Sequence, residues 1–147
     1  EKIFLAVPSG GPFQSLSSVR LADMKDAGFI SLYSRTLRFI CDGFCRQAGF
    51  KPKIAFESDN PSTVRSMIAA NMGIGFWPEF TWGRLDTDRV RLLEIEDVPC
   101  ARSLIFARKH NKIDSAAVDD FFDFLRAYAG GPFKNSAGGA QEDPKTV

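Results

Sequence analysis

Apolar residues in this chain alternate between two rhythms. Lys2-Ile3-Phe4-Leu5-Ala6-Val7 is a short apolar run stopped by Pro8, which predicts a buried strand. Ser9 to Pro12 is a turn-rich link, and Val19 to Asp26, with Leu21 and Met24 among polar neighbours, predicts a short helical turn. Gly28 to Tyr33 predicts a second strand. After Ser34-Arg35-Thr36 the period changes: Leu37, Ile40, Cys41, Phe44, Cys45 and Ala48 form the stripe of an amphipathic helix. Gly49 ends it, Pro52 follows, and Lys53 to Glu57 predicts a third strand.

The chain is organised around Ser58 to Glu79. Asn60 is a good N-cap and Pro61 suits the first helical position. Val64, Met67, Ile68 and Met72 recur at steps of three and four and predict one apolar helix face. Asn71 and Gly73 both tolerate a left-handed backbone, so the helix ends there. Ile74-Gly75-Phe76-Trp77 fits a buried strand closed by Pro78, and its glycines let the backbone pass close to a neighbour or a ligand.

Beyond it, Glu79 to Leu85 predicts one or two helical turns. Val90 to Ile95 and Ala101 to Ala107 predict strands. Ile113 to Ala129 predicts a helix with Ala117, Phe121, Phe124, Leu125 and Tyr128 on one face. From Gly130 the chain is polar and Gly/Pro-rich without a period, which predicts a disordered tail. Strands alternating with helices over short links imply an α/β domain with a largely parallel sheet.

Composition narrows the function. The chain has 147 residues, 44% of them hydrophobic, with 14 Phe: enough for a core in one domain or parts of two. A net charge of +1 gives no bulk attraction for nucleic acid or membranes. No apolar run approaches the roughly 20 residues of a membrane helix. Three Cys form no disulfide framework and suit a reduced cytoplasmic protein. The start at Glu1 rather than Met suggests a fragment or a processed product.

Candidate chemistry is sparse. His110 stands alone in the basic run Arg108-Lys109-His110-Asn111-Lys112, with no acid or nucleophile placed beside it. Cys41 and Cys45 are four apart on the apolar stripe; two ligands without a third make a weak metal site, and buried thiols suit the pattern better. No Walker loop or dinucleotide fingerprint is present. Neither an enzyme, a cofactor nor a metal is expected. Binding has more support. Ser34, Arg35 and Thr36 stand where a strand passes into a helix, and helix N-termini attract anions. An Arg there is suited to hold a carboxylate, although Ser34 or Thr36 is equally well read as an ordinary N-cap. In open α/β sheets ligands sit beyond the carboxyl ends of the strands, and the strands ending at Glu57 and at Trp77-Pro78 would open to the same edge.

The order of these pieces resembles the effector-binding region of LysR-type transcriptional regulators. The resemblance rests on Ile3-Phe4-Leu5-Ala6-Val7-Pro8 with Pro12, and on Leu21-Ala22-Asp23-Met24 with Phe29-Ile30. It rests further on Cys45-Arg46-Gln47-Ala48-Gly49-Phe50-Lys51-Pro52 and above all on Thr63-Val64 through Ala69-Ala70-Asn71-Met72-Gly73-Ile74-Gly75-Phe76-Trp77-Pro78. Leu104-Ile105-Phe106-Ala107-Arg108 matches the closing segment. It covers about residues 1 to 128, and the family usually has Gly where Asn71 stands.

The resemblance implies a fold like the type 2 periplasmic binding proteins, a Rossmann-like lobe with a mostly parallel sheet flanked by helices. Residues 1–8 would cross from a first lobe, 9–100 would form the second lobe, and 101–128 would return as a strand and a helix of the first lobe. Residues 129–147 would be the tail. A small-molecule effector, a carboxylate among the candidates, would lie between the lobes against Ser34, Arg35, Thr36, Phe76, Trp77 and Pro78. Phe76 and Trp77 with Arg35 point to an aromatic or short carboxylate, with packed core the other reading of Trp77. Ser62, Arg65, Ser66 and Ala69 would face a partner subunit in a homodimer or tetramer. DNA would be bound only through a helix-turn-helix that this chain lacks. One branch of the family senses peroxide with two Cys; Cys45 stands at the second position but Thr36 at the first, which removes the reactive thiolate. The alternative on the same fold is a solute-binding protein of a transporter, which would require export.

Overall fold

A computed structural model describes residues 1–33, 35–83, 85, 88–107 and 116–129. Ser34, the His110 loop, residues 113–115 and the tail from Gly130 lie outside the described residues. The chain divides into two compact units, one of Lys2–Arg102 and one of Glu1 with Ser103–Val147.

In the first unit the strands are β1 (Ile3–Pro8), β2 (Ser18–Val19), β3 (Gly28–Leu32), β4 (Lys53–Ser58), β5 (Gly75–Pro78) and β6 (Val90–Ile95). The helices are α1 (Arg35–Gln47) and α2 (Pro61–Ala69), with a short 3-10 turn at Leu21–Met24. Four strands are ordered β2-β6-β1-β5, and β3 pairs with β4. The Phe29↔Ile74 bridge joins the two sets in parallel. β1 is antiparallel to both neighbours, with Ile3 opposite Pro78 and Leu5 opposite Leu93. β2/β6 and β3/β4 are parallel. Five described strands therefore run one way and β1 alone runs against them: the sheet is mostly parallel, with its reversed strand in the interior. β1 is buried because it has a partner on each side, and Leu5, Ala6 and Val7 sit at the centre of the core.

Both helices end by the same device. Gly49 has φ 87, its N–H donates to the Arg46 carbonyl at 3.1 Å, and the Phe50 N–H donates to Cys45 at 3.0 Å. Asn71 has φ 59, and the Asn71 and Met72 N–H groups donate to Ile68 and Met67 at 2.9 and 3.1 Å. Each pair of bonds is a Schellman motif, with the left-handed residue supplied by Gly in one helix and Asn in the other. The expectation of a left-handed Gly73 fails: Gly73 is needed for space, since an added Cβ would lie 2.6 Å from the Gly28 carbonyl oxygen. At the start of α2, the Asn60 side chain accepts the Ser62 N–H at 2.8 Å, the expected cap. Val64 and Ile68 are buried, whereas Met72 lies past the last turn and is exposed, which shortens the predicted stripe.

Two further expectations change, and one strand was not foreseen. Among the described residues, Glu79 to Leu85 forms turns and no helix; Gly83 at φ 74 breaks the backbone direction after Phe80. Ala101 makes one bridge to Lys2, but residues 102–107 carry no strand, and Ile105 stays 84% exposed. A strand exists only where a ladder partner stands beside it. The two-residue β2 is too short to carry an alternation and was not predicted.

The second unit contains α3 (Ala116–Ala129). Phe121, Phe124 and Tyr128 lie on its predicted apolar face and are exposed, with Phe124 and Tyr128 stacked at 6.0 Å. No helix among the described residues is long and apolar enough to cross a membrane.

Candidate functional site

The carboxyl ends of β3 and β4 lie side by side, Leu32 opposite Ser58 in register, and the Tyr33 N–H extends the pairing to the Ser58 carbonyl at 2.9 Å. From this edge the chain turns into α1 at Arg35 and into α2 at Pro61. Two helix N-termini and their positive potential are thus brought to one edge of the sheet. β5 runs in the same direction and ends at Pro78, as the sequence implied.

Among the described residues, two concavities beside α1 adjoin the predicted site residues. One is a narrow slot between the helix and the sheet with a cavity volume of about 20 Å³, room for about one water. Phe29, Leu37, Cys41, Phe76 and Trp82 give it apolar walls, and Ser31, Arg38 and Asp42 its polar ones. Phe76 is fixed between Phe29 at 5.7 Å and Phe44 at 6.0 Å. Arg38 pairs with Glu57 across from α1 to β4 and lies 3.7 Å from Asp42. The second concavity is shallow and is lined by Tyr33, Arg35, Arg38, Phe39 and Asp42. The two share Arg38 and Asp42.

The structure thus distributes the predicted site residues unequally. Arg35 and Thr36 are exposed in the first turn of α1, and Arg35 lines the shallow concavity. Phe76 lines the slot. Trp77 is only 2% exposed; its indole N–H donates to the Gly83 carbonyl at 2.9 Å, and its ring meets Trp82 edge-on at 4.9 Å. Pro78 is fully buried. Trp77 and Pro78 line neither concavity and stand behind the site as packing, so the core reading of Trp77 is the one realised. Ser34 lies outside the described residues. On α2, Ser62, Arg65 and Ser66 are exposed and Ala69 is half-buried.

Tyr33, Arg38, Phe39, Asp42, Glu57 and Trp82 escaped the sequence reading. Arg38 and Asp42 carried a signal, being charges one turn apart next to Leu37 and Cys41 on the apolar stripe. Trp82 carried none. Burial pushes the Cys41 thiol far up and lifts Cys45 and Cys100 to about 12, which leaves all three as packing groups rather than nucleophiles. No group of His, Cys, Asp and Glu that could hold a metal occurs among the described residues.

Comparison with known proteins gives one consistent result. A family model described as the LysR substrate binding domain matches residues 1–130. The transcriptional dual regulator GltC of Bacillus subtilis (strain 168) is 25% identical over 126 residues, 85% of this chain and 42% of GltC. The chain thus spans less than half of that relative. Among solved structures, HinK, a LysR family transcriptional regulator from Pseudomonas aeruginosa, aligns with TM-score 0.68 at 19% identity, over 87% of this chain and 44% of HinK. The effector binding domain of QuiR in complex with shikimate aligns with TM-score 0.69 at 20% identity, over 90% of this chain and 63% of that one. These two likenesses establish a shared fold.

Proposed function

This chain belongs to the LysR substrate-binding domain family, and from that premise we propose that it is the effector-sensing part of a DNA-binding transcription regulator. The observation that carries the reading is the convergence of two helix N-termini and Arg35 at the carboxyl edge of β3 and β4. Parallel α/β sheets place small ligands at such an edge. Arg35 and Thr36, with Ser34, offer charge and hydroxyls to an anionic effector; Phe76 forms part of the apolar slot, and Trp77 and Pro78 support it from behind.

In this reading residues 9–100 are the second lobe of the sensor, and residues 1–8 and 101–107 are its connections to a first lobe, to which α3 belongs. Effector binding favours one relation between the lobes over another, and that differential affinity is what reaches the DNA-binding part. The outer face of α2, with Ser62, Arg65, Ser66 and Ala69, contacts a partner subunit. The protein works in the cytoplasm and carries out no catalysis. The regulatory role of GltC favours this reading over a transport role.

The test is a calorimetric screen of small carboxylates, amino acids and sugar acids on the full-length regulator, repeated with Arg35→Gln. A saturable ligand that binds at least about tenfold more weakly to the variant, about 1.4 kcal/mol, supports the placement. Unchanged affinity in Arg35→Gln refutes it.

A further inference from the structure

We infer that the outer face of α1 docks on the same face of a second copy of this chain. The two helices run antiparallel, Arg35 of each copy meets Asp42 of the other, and the two Phe39 rings lie between these pairs. The contact is separate from the outer face of α2, needs no effector and does not rest on the sensing role.

Four observations carry it. The first is an exposed apolar centre. Phe39 is 71% and Tyr33 69% exposed, although the adjacent Leu32 and Leu37 are buried. The two rings line one shallow concavity, and large rings so open to water mark a surface that another molecule covers. The second is the face they share. Steps of four and three along α1 place Arg35, Phe39 and Asp42 on one stripe, turned away from the stripe of Leu37, Cys41 and Phe44, which is buried.

The third is charge. Arg38 pairs with Glu57 and lies 3.7 Å from Asp42, so these three side chains carry one excess negative charge. Arg35 forms no ion pair with any described residue and is an excess positive charge. Two helical turns, about 10 Å, separate Arg35 from Asp42, too far for them to satisfy each other within one chain. The fourth is symmetry. The stripe is positive at one end, negative at the other and aromatic between. Such a surface complements itself when turned over. A two-fold axis between Arg38 and Phe39 sets Arg35 opposite Asp42 at both ends and each Arg38 beside the other copy's Phe39, where a guanidinium rests well on a ring.

These observations select the occupant. A small anion would satisfy Arg35 and leave the excess negative charge and the rings unanswered. A small cation would do the reverse. A second copy answers both charges at once and covers both rings, and only in the antiparallel sense, because parallel helices would set Arg35 against Arg35. An overlap of two turns falls short of the roughly 800 Å² per partner of a standard stable interface, so the contact is weak. An anion on Arg35 and Asp42 of a second copy exclude one another, so the contact belongs to the ligand-free protein.

The experiment is sedimentation of the full-length regulator without added ligand, from low micromolar to high micromolar concentration. Its mass should double reversibly across that range, or stand already doubled and fall to half in the variants. Arg35→Asp and Asp42→Arg should each weaken the association by about tenfold or more, because each sets like charges face to face. The double variant Arg35→Asp/Asp42→Arg should recover it, since exchanging the two ends keeps opposite charges facing. Phe39→Ala should weaken it as well. Unchanged urea midpoints show that these variants fold.

A mass that neither depends on concentration nor changes in any variant overturns the inference. So does an association that all the variants leave intact, which would use another face. Loss in both single variants without recovery in the double variant also refutes it, because the two charges would then not be partners. Every outcome is read without effector, so none of them decides the binding test on Arg35→Gln.

Discussion

A side chain on Gly73 would place its Cβ 2.6 Å from the carbonyl oxygen of Gly28. That oxygen accepts the Ile74 N–H at 2.9 Å, one of the two bonds that fasten β3 to the strand entering β5. Gly73→Ala should therefore push the two halves of the sheet apart and cost about 2–3 kcal/mol in urea unfolding. Asn71→Ala, two residues earlier, tests a different requirement. It puts a Cβ-bearing residue without a local hydrogen-bonding side chain at φ 59 and should cost about 1 kcal/mol.

The thiols make a pH prediction. Unfolded Cys ionises near pH 9, whereas burial lifts Cys45 and Cys100 to about 12 and Cys41 higher still. The native state then holds protons that the unfolded state has released. The stability this represents is whole below pH 9 and is lost as pH rises through 9 toward 12. The check is urea unfolding from pH 8 to 11, where Cys41→Ser/Cys45→Ser/Cys100→Ser should show a shallower decline. Alkylation by iodoacetamide at pH 8 should be slow until urea is added.

Asp97 predicts the acid limb. Burial alone would raise its pKa, but the Ala22 and Leu21 N–H groups, donating at 3.0 and 2.7 Å, outweigh it and hold the carboxyl below its usual range. Its contribution is present above pH 4 and is lost as pH falls through the native pKa. Asp97→Ala should cost about 1–2 kcal/mol at pH 7 and flatten the fall in stability below pH 4.

Trp77→Phe should lower stability by about 1–3 kcal/mol, because it removes the indole donor from the Gly83 carbonyl and opens space against Trp82. Since Trp77 is buried and Trp82 only half-buried, the variant's fluorescence should shift to the red. Melting curves and emission spectra of the two proteins test both points.

What the sequence revealed and what it hid divide along one line. The Asn60 cap, the Gly49 stop and the stripe from Leu37 to Cys45 are local: each depends on residues within one or two turns, so the chain spells them out. The reversal of β1 is not local. Ile3 to Pro8 would look the same beside parallel neighbours, because an apolar run reports burial and carries no information on ladder direction. The same blindness hid the fate of Trp77. A strand in which Gly75, Phe76, Trp77 and Pro78 are all buried has no polar side to mark which residue borders a pocket. Arg35 was legible because a strand-to-helix junction leaves its side chain in water. Phe39 lies off the stripe of Leu37, Ile40, Cys41, Phe44, Cys45 and Ala48, so its exposure followed from the period, but the period alone gives an exposed ring no role.

Lys2 forms a bridge with Ala101, and the Ile3 N–H donates to the Cys100 carbonyl at 2.8 Å, so the unit that runs from Lys2 to Arg102 has its two ends touching. A unit of this kind is a cassette. Spliced by short linkers into a surface loop of an unrelated host, it asks the host only for two adjacent attachment points. Joined end to end, it becomes a circle that can be reopened at the Gly10-Gly11 turn, giving a permutant whose first residues are no longer the sheet's reversed interior strand.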